Sequence, residues 1–492
     1  MVFASITFLY WFLPAVILLY FLVPKKCKNA ILLTASLFFY GWGAPKTLPL
    51  LGASILAAYF VGLGIEAIQG KNRQGNLQRT KTESNKDNKI ESENRSSNRA
   101  ERKEEKKTGK GLLWLGVSLE LAALLYFKYT DFFIENINRF TGASIPLLHI
   151  LLPVGISFYT FQLISYMVDV YRGQQKPQKN LIDFAMYICL FSQLVAGPII
   201  RYSDMAGQLK DHQTSWSDGA IGLRRIILGL SKKVLLADIL GEFCLELQKT
   251  ATPSVLFLWL GAIAFALQLY FDFSGYSDMA IGLGRVFGFR FPENFRYPYC
   301  ADSIRDFWRR WHISLGTWFR DYVYIPLGGS HCSTRKWIRN ILVVWLLTGF
   351  WHGAEWNFIL WGLFFAVLLM LERKVKFPRI LILLFFIFSV VLFQETELPL
   401  IAGRFAGMFG LRGLPFATVE TWYYLRSYGV IFILGIIGAT PLCKGLTEKL
   451  REQNWGKTVF KIAEPVVLIG LLLLSTAYLV DGTYHPFLYF RF

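Results

Sequence analysis

ILVVWLLTGFWHGAEWNFILWGLFFAVLLML, residues 341–371, is a 31-residue run whose only polar side chains besides its tryptophans are Thr348, His352, Glu355 and Asn357. A stretch this apolar has to leave water, and it exceeds the roughly 20 residues that carry an α-helix across ~30 Å of hydrocarbon. As one straight helix it would reach about 46 Å, so tilt or a break is expected, and Gly349 and Gly353 mark where a break can fall. His352 stands about 16 Å along such a helix from Ile341, which sets an imidazole near the middle of the bilayer. Ionisable groups at that depth are costly and are usually kept for function.

Apolar runs recur on both sides of this stretch, at 3–23, 29–42, 47–67, 111–128, 149–171, 253–272, 378–396, 427–441 and 464–480, which with 341–371 makes about ten expected spans. The whole chain agrees: of 492 residues, 54% are hydrophobic and 16% aromatic, more apolar mass than soluble cores can hide. Short alternating segments of an outer-membrane barrel are missing, and helices satisfy their own backbone in lipid. The expected fold class is therefore an all-α polytopic membrane protein forming one transmembrane domain over 1–492.

The net charge of +18 comes largely from Lys and Arg between apolar runs, where positive charge sets topology, so nucleic acid is not expected as a partner. Lys25, Lys26 and Lys28 follow the first run and place the N-terminus outside. That run is too long and aromatic for a cleaved signal and reads as a retained helix. The next two runs meet at Gly41-Trp-Gly-Ala-Pro45 and should form a hairpin returning to the cytoplasm. Residues 70–110 are rich in Lys, Arg, Asn, Ser and Glu and read as a disordered cytoplasmic insertion. The alternative is a patch docking anionic lipid or an acidic carrier protein, with a field diluted by glutamates. Between 181 and 250, and between 273 and 340, aromatic but semi-polar sequence broken by Gly and Pro suggests re-entrant or interfacial helices around a cavity.

The segment Asp302–Arg320, DSIRDFWRRWHISLGTWFR, has Ile304, Phe307, Trp308, Trp311 and Leu315 at helical spacing, with His312 on the same inward face as the two tryptophans. Arg305, Asp306, Arg309 and Arg310 take the other side. His312 either joins a reaction or bonds a nearby carbonyl. His352 either accepts a proton from a hydroxyl nucleophile or is structural; Glu355, one turn on, either orients it or pairs with an arginine. Arg305, Arg309 and Arg310 either contact phosphate of a donor or lipid, or set topology. Asp272 and Asp278 in FDFSGYSD form a metal pair or, more simply, pair with arginines. The glycines of 282–288 follow no strand and serve helix packing rather than a dinucleotide. Six scattered cysteines make neither a disulfide frame nor a zinc site, and no GxSxG elbow is present.

Five stretches together closely resemble the membrane-bound O-acyltransferase superfamily, and within it the alginate O-acetyltransferase branch, over nearly the full length. They are PVGISFYTFQLISYMVDVYRG (153–173), QLVAGPIIRYSDM (193–205), YFDFSGYSDMAIGLGRVFGFRFPENFRYPY (270–299), DFWRRWHISLGTWFRDYVYIPLGG (306–329) and LTGFWHGAEWNFILWG (347–362). The resemblance implies that His352 is the catalytic histidine and His312 a second active-site polar residue; Glu355 and Asn357 join Arg305, Arg309 and Arg310 as candidate substrate-binding residues. It implies a bowl of tilted helices around a tunnel joining a cytosolic donor entrance to an extracytoplasmic acceptor side. It implies acetyl transfer from acetyl-CoA or another acetyl thioester, with no bound cofactor and no metal, in a multi-pass protein of the cell (inner/cytoplasmic) membrane. The expected partner is an extracytoplasmic acetyltransferase or a glycan acceptor. D-alanyl transfer to teichoic acid is the nearest related activity; a transporter and a scaffold of a glycan-export complex are the rival classes. The insertion at 70–110 is longer than the corresponding family loop.

Overall fold

The structure, a computed structural model, describes residues 2–83, 109–210, 214–250 and 253–482, and they are helical with no strand among them. Residues 84–108, most of the insertion expected to be disordered, lie outside the described residues. The helix before it, Leu48–Glu83, runs past Gly70.

The chain forms two compact units, one of Ala15–Val195 and Ile199–His212, the other of Val2–Pro14, Ala196–Pro198 and Gln213–Phe492. In the first, Lys28–Gly43 packs on Leu181–Cys189, and Leu48–Glu83 packs on Ile156–Tyr171 and Lys110–Thr141. Asn29 ties the first pair together, donating to Asp183 Oδ1 at 2.8 Å and to the Leu209 carbonyl at 2.9 Å. The span expected at 149–171 is helical only from Ile156 to Tyr171.

In the second unit, Trp216–Ser231 crosses Val255–Val286 on paired glycines. A Cβ on Gly222 would lie 2.7 Å from the Gly282 carbonyl oxygen, and one on Gly229 would lie 2.5 Å from that of Gly275. Each pair sits two turns from the other in reverse order, so the helices run antiparallel with their backbones touching. The packing role read for Gly282 is therefore the one it has.

Among the described residues four helices are long and apolar enough to cross a membrane: Pro45–Gly70, Lys110–Thr141, Val255–Val286 and Asn454–Asp481. Val419–Gly438 and Leu442–Glu452, bent by 65°, make a fifth if counted as one. The sequence suggested about ten. The other apolar runs are shorter helices such as Phe8–Leu22 and Arg379–Gln394. Sixteen residues reach about 24 Å, short of the hydrocarbon thickness.

The 341–371 run is two helices, Thr334–His352 and Trp356–Glu372, folded back on each other at Gly353–Glu355. Glycines permit this elbow: a Cβ on Gly349 would meet the Phe358 carbonyl oxygen at 2.2 Å, and one on Gly362 the Trp345 carbonyl oxygen at 2.3 Å. His352 thus ends the first helix at the tip of a hairpin.

Asp302–Arg320, expected as one helix, is also interrupted. Ile304–Arg310 ends, Trp311 is extended, His312 is left-handed with φ of 42°, and a second helix runs Ile313–Phe319. The cause lies outside the segment. The Ile313 N–H donates to the Asn294 carbonyl at 3.0 Å, and the Arg296 N–H donates to the Arg310 carbonyl at 2.9 Å. Residues 294–296 therefore take up backbone groups that a continuous helix would have paired internally.

Candidate active site

The two broken helices meet on an aromatic seam. Trp308, from the segment 304–310, stacks edge-on against Trp345 at 4.7 Å, Trp361 at 5.6 Å and Phe365 at 4.7 Å, all from the hairpin. Glu372, at the hairpin's far end, accepts from the Ile304 and Arg305 backbone N–H groups and so caps the helix that carries Trp308. Trp311 packs instead on Tyr270, Phe295, Phe307 and Phe386.

His352 is buried among rings. Trp351 lies 4.9 Å from its centroid, Trp361 5.1 Å and Phe393 5.3 Å. Asn357, fully buried, donates from Nδ2 to the Leu392 and Phe393 carbonyls at 3.2 and 3.3 Å. Those carbonyls belong to the last turn of Arg379–Gln394 and have no helical donor of their own, so Asn357 pins the turn that holds Phe393 against His352. Glu355 is exposed at the N-terminus of Trp356–Glu372.

His312 does not rest on Trp308 and Trp311 as its helical spacing suggested, because its left-handed backbone redirects it. Its ring lies 4.6 Å from Phe273 and 6.2 Å from Trp351. Trp351 therefore neighbours both imidazoles, and two histidines forty residues apart in sequence share one indole. His312 is 2% exposed; its Nδ1 lies 3.2 Å from Asn294 Oδ1, and its Nε2 has no hydrogen-bond partner among the described residues.

Asn294 also lines a cavity of about 1370 Å³, together with Tyr270, Ser274 and Ser277. The cavity wall carries Arg224, Arg225, Lys232, Arg296, Arg310, Lys444 and Arg451; Asp278, Glu293 and Glu448 of the wall, with Glu464 and Asp306 beside it, pair with most of them, and the basic side chains still outnumber the acidic ones, which suits an anionic ligand. Asp278 is held by Lys232 at 2.6 Å and Arg225 at 2.8 Å, and Arg225 also donates to Glu293 at 2.7 Å. Asp272 pairs with Lys233 at 2.8 Å. Both aspartates of FDFSGYSD are thus ion-paired. Of the three arginines singled out from sequence, Arg310 reaches the cavity while Arg305 and Arg309 are exposed on the same short helix. Partial burial would raise the Asp306 carboxyl, but hydrogen bonds from Arg310 and the Asp302 N–H outweigh it and hold it below its usual range. Asn294, Trp351, Arg225 and Lys232 were not singled out from sequence. Asn294 does sit in the quoted PENF stretch, whose proline and asparagine signal a break in helix rather than a contact to a distant histidine.

The family model for the membrane-bound O-acyltransferase family matches residues 177–386. A probable alginate O-acetylase of Azotobacter vinelandii is 36% identical across the full length of both chains. The peptidoglycan O-acetyltransferase of Helicobacter pylori is 35% identical, covering 83% of this chain and 79% of that one. The teichoic acid D-alanyltransferase of Bacillus subtilis is 32% identical over 44% of this chain and 58% of its own.

Proposed function

The chain belongs to the membrane-bound O-acyltransferase family and is a multi-pass membrane O-acyltransferase, and from that premise we propose that it moves acetyl from a cytosolic thioester toward an extracytoplasmic polysaccharide. The observation that carries this reading is the pair of buried histidines that share Trp351, with His312 held by an asparagine that lines a large cavity rich in basic side chains. The donor is acetyl-CoA or another acetyl thioester, whose phosphates suit the arginines and lysines of the cavity wall. A cytosolic donor and an extracytoplasmic acceptor are both in reach only from the cell membrane. Delivery to the polymer runs through a partner acetyltransferase or directly to a glycan hydroxyl.

The acceptor hydroxyl gives its proton to a ring nitrogen of His352 as its oxygen attacks the thioester carbonyl carbon. When the tetrahedral adduct collapses, the carbon–sulfur bond breaks, the thiolate leaves and the proton passes from His352 to the sulfur. An imidazole set among the Trp351, Trp361 and Phe393 rings suits this exchange, since a ring nitrogen can accept a proton and pass it on near neutral pH. His312, which shares Trp351 with His352, hydrogen-bonds the incoming hydroxyl. Acetyl is favoured over D-alanyl because two of the relatives named as O-acetylases match this chain end to end, whereas the D-alanyltransferase matches cover 44% and 54% of it.

The test is mass spectrometry of envelope glycans from cells carrying wild-type protein, no protein or His352→Ala, with membrane levels of the protein measured in parallel. Acetyl ester should be present only with the wild type, and purified His352→Ala should fall about 10²- to 10⁴-fold in transfer, the usual cost of losing a general base. Wild-type acetylation by a normally inserted His352→Ala would reject the assignment, and D-alanyl ester in place of acetyl would move the chain to the other branch.

A further inference from the structure

Several hydrogen bonds converge on the Asn294 side chain, and their directions are not interchangeable. The Ser314 backbone N–H reaches Asn294 Oδ1 at 3.3 Å and can only donate, and the Ser314 hydroxyl donates to the same oxygen at 3.0 Å. On the other side Asn294 Nδ2 donates to Ser277 Oγ at 3.1 Å. Turning the amide over would set its NH₂ against a backbone N–H, so the oxygen has to face Ser314. His312 Nδ1 lies 3.2 Å from that oxygen. A lone pair on Nδ1 would face the lone pairs of an oxygen; a proton there makes a hydrogen bond. The Ser314 hydroxyl, 3.5 Å from Nδ1, has its own proton committed to Asn294 and offers only a lone pair as well.

A buried imidazole among aromatic rings is neutral and carries a single N–H. If Nδ1 has it, Nε2 is bare. The opposite tautomer would strand an N–H at Nε2, a buried atom with no hydrogen-bond partner among the described residues. The same segment also fixes the ring's aim, since the Asn294 carbonyl and the Arg296 N–H hold the chain on either side of the left-handed His312 backbone.

We propose that Asn294 is a positioning residue that locks His312 in its Nδ1–H tautomer, so that Nε2 presents a lone pair to the incoming acceptor hydroxyl. This rests on the reading that His312 belongs to the reacting centre. The lone pair holds the O–H as the hydroxyl arrives; the O–H then turns to His352, which takes the proton as the oxygen attacks. Asn294 lines the cavity, but in this role it acts through His312 and not on the reacting atoms.

The test uses full-length protein labelled with [¹⁵N]histidine in lipid bilayers, read by solid-state NMR, with the His312 resonances identified by their loss in His312→Gln. Wild type should show a protonated Nδ1 and an unprotonated Nε2 for His312. Asn294→Asp keeps an oxygen against Nδ1 and should keep that tautomer, whereas Asn294→Leu should mix the two and lower envelope acetylation at least tenfold. A wild-type His312 protonated at Nε2 overturns the inference whether or not any variant folds, and so does an unchanged tautomer in a folded Asn294→Leu. Normal acetylation by His312→Gln fails in a different way, since it removes His312 from the reacting centre.

Discussion

The larger unit interrupts two helices, each at a histidine, and does so by opposite means. At His352 the interruption is steric: Gly349 and Gly362 let two helix backbones meet, and Gly353 leaves room for the Phe358 ring. At His312 it is a matter of hydrogen bonding: residues 294–296 replace the bonds that the continuous helix would have made. The elbow built on close backbone contact sets its imidazole against the rings of Trp351, Trp361 and Phe393, and the one built on a polar segment sets its imidazole against the Asn294 amide. The first arrangement suits a group that must gain and lose a proton, the second a group that must hold one orientation.

This difference predicts unequal tolerance, and the largest effect should come from Gly349→Ala. Its Cβ would sit 2.2 Å from the Phe358 carbonyl oxygen and 3.3 Å from the Gly362 Cα, backbone atoms that cannot swing aside. Overpacking a core usually costs about 1–3 kcal/mol, and a clash against backbone belongs at or above the top of that range. Little folded protein should survive, as read by gel filtration of detergent-solubilised membranes. Ser314→Ala at the other break removes only one of the donors to Asn294 and should accumulate normally. Equal yields of the two variants would erase the distinction between a steric and a hydrogen-bonded elbow.

Trp308→Ser should come next, because Trp308 is where the two interruptions lean on each other through Trp345, Trp361 and Phe365. Truncating a packed tryptophan commonly costs about 3–5 kcal/mol. Reduced yield and reduced acetylation are expected together. Wild-type protein levels and turnover would mean that the seam does not couple the breaks.

Asn357→Leu should be milder and more selective. It leaves the Leu392 and Phe393 carbonyls without their donor, at a cost of about 1–3 kcal/mol, and loosens Phe393 where it bounds His352. The protein should fold with a modestly lower melting temperature and transfer acetyl roughly tenfold more slowly, a barrier change of about 1.4 kcal/mol. A lower melting temperature with unchanged turnover would confine Asn357 to stability.

How much of this was legible in sequence differs between the two breaks for the same physical reason. The elbow announced itself locally, since a 31-residue apolar run is too long for one span and two glycines flank its histidine. The break at His312 did not, because helical spacing from Ile304 to Leu315 is continuous and the groups that interrupt it come from Asn294 and Arg296. Asp278 could be read as an ion-pair partner, but Arg225 and Lys232 reach it from another helix, and the cavity they line is a product of tertiary folding. Hydropathy registers apolar length and not the interruptions that shorten helices, so among the described residues only four or five of the apolar runs are helices long enough to cross unaided.

The smallest effect separates two neighbouring arginines. Arg309 and Arg310 end the same short helix and are equivalent by composition, yet only Arg310 lines the cavity, where it also pairs with Asp306 at 2.8 Å. Arg309 is exposed. If the cavity holds the phosphates of the thioester donor, Arg310→Ala removes one cation from its wall and leaves Asp306 uncompensated beside it. The apparent KM for acetyl-CoA should then rise several-fold with little change in kcat, since the charge acts on binding and not on the reacting carbonyl. Arg309→Ala should stay within about twofold on both parameters, as solvated surface substitutions generally do. Both variants lose one positive charge, so a long-range field would affect them alike, and raising the ionic strength would then erase both effects. Equal KM values for the two variants would place the donor's phosphates elsewhere. A kcat loss confined to Arg310→Ala would instead mean that the helix end positions His312, two residues on, more than it binds donor.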